Sequence, residues 1–283
     1  MRATDSAFLE RLRAPLQGFL DEDASDELVF SADCGVQRTL AGGKVVRARN
    51  RLFVAGLKIY EGFSQDEMAG RLISGVRDIA TRSSNEFVRI RAGGVVVSGK
   101  AILLPSVPAP HLPALVALLI RSGAEYLGDE VVNLDPVMHR VHGSSLPLLL
   151  AEDDLALFPE LDPGREPSRR RRAAGDGAKR PRRPVRLEEL GGRRAEPTTP
   201  ARVVFPTFEA GSTTTLRPIG DAEALFRFTQ ACLNLHIWAD RALLLFREVL
   251  RTTRVAELVV GSLPDGARLL LEQMGVEGGE PVG

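Results

Sequence analysis

The order of predicted elements points to an α/β protein, and three observations carry that expectation. Residues 100–105, 112–122 and 125–134 read in turn as strand, buried helix and strand, a βαβ unit if the two strands run parallel. A second alternation follows, with a strand at 201–208, helices at 221–233 and 241–251, a strand at 256–260 and a short helix at 265–274. Ahead of both, residues 1–84 mix short extended runs with two helical patterns, which predicts a small α+β region.

Within that first region Phe8, Leu9, Leu12, Leu16 and Phe19 recur at helical spacing, and Pro15 is expected to bend or shorten the helix. Extended runs at 27–30, 44–49 and 51–59, punctuated by Gly42, Gly43 and Asn50, predict β-hairpins. Ser64-Gln65-Asp66-Glu67 is a capping box that opens a helix with Met68, Leu72, Ile73, Val76 and Ile79 on its buried side. Further along, Pro113 suits the first turn of the 112–122 helix and Gly123 its C-terminal cap, while Asp221 suits an N-cap.

Composition narrows the function classes. The 283 residues are 44% hydrophobic and 26% charged, and Lys plus Arg equals Asp plus Glu at 37 each, so the overall charge names no partner. Two widely separated cysteines, Cys34 and Cys232, suggest neither a disulfide framework nor a metal cluster, and fit a reducing cytoplasm. The charged start does not read as a signal peptide, and the longest apolar stretch, 112–120, is too short to cross a bilayer. No membrane partner is expected.

Residues 161–200 depart from this average. Between Arg165 and Arg194 there are twelve Lys or Arg against four Asp or Glu, an excess of eight positive charges, with Pro and Gly abundant and apolar periodicity lost. The segment reads as a basic, flexible insertion loop. It could touch nucleic acid or an acidic partner, but without aromatic residues to stack on bases a solvated loop is the simpler account.

One motif needs to be set aside. Gly94-Val95-Val96-Val97-Ser98-Gly99-Lys100 fits the G-x-x-x-x-G-K spacing of a phosphate-binding loop. Three β-branched valines favour extended chain over an anion-binding nest, and Ala101 stands where a hydroxyl should meet magnesium. The stretch reads as a hairpin of strands 87–97 and 100–105 with Ser98-Gly99 as its turn.

Several segments together resemble one family. "AILLP", "RSGAEYLGDEVVNLDP", "ARVVFPTFEAGSTTTLRPI" and "ACLNL" look like the C-terminal kinase domain of HPr kinase/phosphorylase, and more closely its shorter bacterial relatives, from about Phe87 to Met274. The resemblance implies a P-loop-containing α/β fold related to phosphoenolpyruvate carboxykinase, a twisted mixed β-sheet flanked by helices. On that basis residues 85–160 and 201–276 form one degenerate kinase-like domain, 161–200 an insertion and 277–283 a tail. Active members of the family transfer phosphate from a nucleotide or pyrophosphate to a protein seryl hydroxyl.

The positions that carry this chemistry are changed. The family follows Leu-Leu-Pro with a glycine-rich loop ending in Gly-Lys-Ser-Thr. Here Leu103-Leu104-Pro105 is followed by "SVPAPHLPA". Ser106 stands at the first glycine, His111 at the glycine before the lysine, Leu112 at the lysine, and Pro113 and Ala114 at the hydroxyl pair. Pro108, Pro110 and Pro113 have no N–H to give a phosphate, and a leucine cannot neutralise one. Asp129 and Glu130 match the family's acidic position at the phosphoryl centre and read as a remnant catalytic pair; taken without the resemblance they read as loop or cap acids. A family histidine is replaced by Arg91, which cannot act as a general base near neutral pH.

Other residues have plain readings. His139 and His142 have metal-like spacing but suit a turn. Phe205 suits core packing, Pro206 a strand terminator, Asn234 a helix C-terminal cap and Trp238 buried packing. The expected function is that of a catalytically impaired HPr-kinase-like protein that binds a protein or peptide, with an oligomer as a candidate assembly and with no cofactor and no metal. The alternative is an active serine kinase using ATP and magnesium through Asp129, Glu130, Arg91 and the basic loop. A third reading makes the basic run a nucleic-acid or acidic-partner tether.

Overall fold

A computed structural model describes residues 1–13, 16, 29–41, 43, 45–83, 86–106, 110–144, 146–161 and 182–275. The chain divides into two units, Met1–Ala80 with Ser145–Val185 and Thr81–Ser144 with Arg186–Gly283. None of the helices among the described residues is long and apolar enough to cross a membrane.

The first unit holds β1 (Arg2–Ala3), α1 (Ser6–Arg13), β2 (Phe30–Asp33), β3 (Arg38–Thr39), β4 (Val45–Val46), β5 (Asn50–Val54), β6 (Leu57–Gly62) and α2 (Gln65–Ser83). Its main sheet has the order β1-β2-β5-β6, with β1 parallel to β2 and the remaining pairs antiparallel. The single run expected at 51–59 is in fact a hairpin. Ala55 and Gly56 both take positive φ (48° and 82°), the two-residue turn that matches strand twist. The serine half of the capping box forms, with Ser64 Oγ accepting the Glu67 N–H at 3.1 Å, while the Glu67 carboxylate turns to the Tyr60 hydroxyl. Phe8, Leu12, Leu52, Met68, Leu72 and Ile73 form the buried core.

The second unit carries an eight-stranded mixed sheet. Its strands are β7 (Val88–Val97), β8 (Lys100–Pro105), β9 (Glu125–Gly128), β10 (Val131–Leu134) and β11 (Val141–His142), then β14 (Pro200–Phe208), β15 (Thr215–Arg217) and β16 (Arg254–Val260). Two further strands, β12 (Leu148–Ala151) and β13 (Arg182–Val185), pair antiparallel within the first unit. The sheet order is β11-β10-β7-β8-β14-β16-β15, with β9 on the later part of β7. Neighbours β8, β14 and β16 are parallel and the other pairs antiparallel. Since β9 and β8 both run antiparallel to β7, they are parallel to each other with β7 between them.

Four helices flank this sheet: α3 (Leu112–Arg121), α4 (Asp221–Ala231), α5 (Leu235–Thr252) and α6 (Leu263–Glu272). Alternation along β8 sorts the faces. Ala101 and Leu103 join a core with Phe205, Phe228, Phe246 and Val249, which α4 and α5 close. On the other face Gly93 lets α3 approach: a Cβ there would come 2.7 Å from Val116 Cγ2. The look-alike phosphate motif is the β7–β8 hairpin, with Ser98 and Gly99 at φ 50° and 75°.

Several expectations are corrected here. The strand expected over 125–134 is broken into β9 and β10 by Asp129-Glu130, and β7 pairs with each piece in turn. Residues 145–160, assigned by sequence to the kinase-like domain, belong to the first unit. Within the basic loop expected over 161–200, residues 182–200 include β13, a 3-10 helix (Leu187–Leu190) and a bridge from Tyr126 to Arg194, with Val185, Leu187 and Leu190 buried. Those few apolar residues suffice to anchor it although they show no period. Residues 162–181 of the basic run lie outside the described residues.

Pro206 does not end its strand, since β14 runs on to Phe208. Its carbonyl accepts from Ser106 Oγ at 3.4 Å, beyond the last β8–β14 pair at Leu103 and Val203, so the missing N–H on the same side removes no ladder bond. Asn234 is not a C-terminal cap. It precedes α5 and ties that helix to β7, accepting the Arg89 N–H and donating to the Phe87 carbonyl, both at 2.9 Å. Asp221 is the first residue of α4 rather than its cap.

Candidate functional site

In open α/β sheets ligands gather where parallel strands end, because loops there are free to converge and helix N-termini face the crevice. The corresponding edge here is formed by the ends of β8, β14 and β16. The residues singled out by sequence collect around it. Ser106 follows β8, is buried, and donates its N–H to the Arg91 carbonyl at 3.3 Å. Ala92 in turn donates to the Glu130 carbonyl at 3.1 Å, which brings the Asp129-Glu130 turn to the middle of β7, beside the end of β8. His111 sits immediately before α3 with its ring edge-on to Phe208 at 5.8 Å.

The first turn of α3 is apolar and closed. Leu112 is 1% exposed, Ala114 0%, and Pro113 is buried between them. His111 provides no side-chain cap to the helix. Residues 107–109, including Pro108, lie outside the described residues.

Asp129 is 1% exposed and accepts the Tyr126 hydroxyl at 2.8 Å. Tyr126 is itself fully buried. The sequence reading missed this pairing. The signal was available, since a tyrosine three residues before a buried aspartate across a turn can reach back to it, but the aspartate's burial was not foreseen. Glu130 is half-buried.

The histidine pair does not build a metal centre: among the described residues no group of three or more His, Cys, Asp or Glu could hold an ion. His142 lies on β11 with Nε2 3.6 Å from Asp135 Oδ2 and its ring 4.7 Å from that of Phe87. His139 occupies a turn at φ 54°. Asp135 organises that turn by accepting the N–H groups of Val137 and Met138 at 2.7 and 2.8 Å. The Met138 N–H is the main reason its carboxyl sits below the ordinary aspartate range. Phe205 packs in the core as expected, T-shaped to Phe228 at 6.4 Å.

Trp238 lies at the start of α5, where Ala239 breaks helical geometry (φ 40°, ψ −121°). Its indole Nε1 is buried without a hydrogen-bond partner. Cys34 and Cys232 are free thiols, both raised above the usual thiol range by burial.

No protein-family model and no curated protein matches this chain.

Proposed function

We propose that this protein is an HPr-kinase-like scaffold that has given up phosphoryl transfer and works by binding a protein or peptide. One observation carries the reading. The first turn of α3, where the family's motif supplies a lysine and hydroxyls, is filled by Leu112, Pro113 and Ala114, which are buried. Phosphoryl transfer depends almost wholly on positioning and on charges that meet the phosphates. A triphosphate at that turn would meet buried carbon, and desolvating its charge without compensation costs several kcal/mol. Asp129, the carboxylate that the kinase alternative would use with ATP and magnesium, is held by Tyr126 inside the protein.

Binding to a macromolecule is supported by the outward sides of α4 and α5. Phe226 is 61% exposed and Leu244 65% exposed on two helices that pack side by side. A contiguous apolar patch left in solvent marks an interaction surface, so the proposal requires these two residues to act together.

The test is incubation of the full chain with γ-labelled ATP and magnesium, with and without extract from its host. We expect no transfer to the chain or to a host protein above background. Transfer that disappears in Asp129→Asn, in a variant that keeps its circular dichroism, establishes the kinase and overturns the proposal. Crosslinking in the host should capture a protein that Phe226→Asp loses.

A further inference from the structure

A hollow of about 940 Å³ opens at the opposite edge of the same sheet, where the parallel strands begin. Its walls carry Lys100, Arg140, Arg202, Arg251 and Arg254, and among the described residues no aspartate or glutamate lines it. The fold assembles these cations from distant parts of the sequence. Lys100 opens β8 after the tight turn, Arg202 lies near the start of β14, and Arg254 opens β16. Arg202 and Arg254 are direct register partners on adjacent strands.

Like charges placed opposite each other in a sheet repel. Among the described residues the chain's own acids reach this cluster only at Arg251, which pairs with Glu248 at 2.6 Å. Arg202 donates to the Gln273 carbonyl and reaches the Met274 sulfur at 3.2 Å. Lys100, Arg140 and Arg254 form no ion pair among the described residues and are exposed. Burial, and then the neighbouring Arg254, push Arg202 below the usual arginine range, as expected where positive charge is crowded. The hydroxyl of Thr253, on the same wall, is buried without a hydrogen-bond partner. Among the described residues Glu248 is the one acid paired with a cation of this hollow, so the guanidinium cluster with its orphan hydroxyl suits an anion.

We infer that this edge binds a small ligand carrying several phosphates, held by Lys100, Arg140 and Arg254 with Thr253 as an added hydroxyl. Guanidinium forks match phosphate oxygens in pairs, and an ammonium adds a compact charge. The volume is that of a small-molecule site and exceeds what one phosphate fills. Among the described residues no aromatic side chain lines the hollow, which gives nucleic-acid bases no platform there. The inference is independent of whether the α3 end accepts a nucleotide, because the two sites lie at opposite ends of the parallel strands.

Calorimetric titration of the full chain with tripolyphosphate, pyrophosphate and orthophosphate tests it. Tripolyphosphate should bind at least about tenfold more tightly than orthophosphate, and more weakly as salt rises from about 0.05 to about 0.3 M. Arg140→Gln combined with Arg254→Gln should weaken tripolyphosphate about tenfold or more. Both side chains are exposed, so the fold should survive. Arg247→Gln, at an exposed arginine of α5 outside the hollow, should change affinity less than about twofold. Absence of binding, unchanged affinity in the double variant, or an equal loss in the Arg247 control overturns the inference. So does tighter binding of a poly-glutamate peptide or of oligothymidylate, either of which would give the surface to a macromolecule.

Discussion

Ser64 shows how one hydroxyl fixes the entry of a helix. Its Oγ accepts the Glu67 N–H, one of the amides left unpaired at a helix start. Glu67 is drawn elsewhere: its Oε2 accepts the Tyr60 hydroxyl at 3.3 Å, while that hydroxyl also reaches the Ser64 carbonyl at 3.1 Å. Burial, reinforced by Glu67, pushes Tyr60 up to about 12. Ser64→Ala should therefore cost about 1 kcal/mol in urea unfolding, with Ser64→Asp close to wild type; a loss under about 0.3 kcal/mol would show that the cap is idle. Capping residues of this kind are legible because their signal spans four positions. Pro206 and Asn234 were not. Each answers to a partner far away in sequence, Ser106 in one case and the backbone of β7 in the other, and local spacing says nothing about such a partner. Asp129 differs: its partner Tyr126 is only three residues away, but its burial follows from the break between β9 and β10, which local spacing does not announce.

Among elements, the sheet of the second unit holds a charge cluster that no sequence pattern announced. Glu257 on β16 is 7% exposed and accepts from Arg217 of β15 at 2.7 Å, Arg227 of α4 at 2.9 Å and Thr207 of β14 at 3.2 Å. Arg227 also lies over the Phe205 ring at 5.9 Å. Burial raises the Glu257 carboxyl, but the hydrogen bonds and charges of Arg227 and Arg217 outweigh it and hold the group below its ordinary 4.5. A carboxyl whose folded value is depressed stabilises the fold above its unfolded value, and that contribution is lost as pH falls through the folded one. Glu257→Gln should thus cost about 2 kcal/mol at neutral pH, less than for a fully enclosed pair because Arg217 is 61% exposed. The gap between variant and wild type should stay constant above about pH 5 and close progressively below it. A gap that does not change between about pH 3 and 7 would assign the loss to packing instead. The strands themselves were readable from their β-branched runs and the α3 helix from its length. The turns at Ala55-Gly56 and Asp129-Glu130 were hidden, since each sits within what reads as one continuous extended run.

At the level of the whole molecule, the chain enters each unit twice. The division falls between Ala80 and Thr81, and the return of 145–185 to the first unit had no local mark. "LPLLLAE" announces that residues 146–152 are buried and is silent about what buries them. Leu146 and Leu149 join the core of Phe8, Leu12 and Leu72. Arg77 of α2 donates to the Pro147 carbonyl at 2.8 Å, and Gly70 allows close approach of the Arg182 carbonyl. The β12–β13 hairpin therefore depends on residues that a fragment beginning at 85 would lack. Such a fragment, 85–283, keeps every strand of the eight-stranded sheet but leaves Leu146 and Leu149 uncovered. Each buried leucine is worth about 2 kcal/mol, and surface of this kind, once exposed, binds hydrophobic dyes and promotes association. The fragment should bind anilinonaphthalene sulfonate and associate in sedimentation, while the full chain does neither. Leu149→Asp in the fragment should reduce the dye signal, whereas in the full chain the same change should destabilise by about 3 kcal/mol because it buries a charge in the first unit's core. A monomeric fragment with a sharp thermal transition and no dye binding would mean that 145–185 folds without the N-terminal residues, and that the packing around Leu146 and Leu149 does not hold the first unit together.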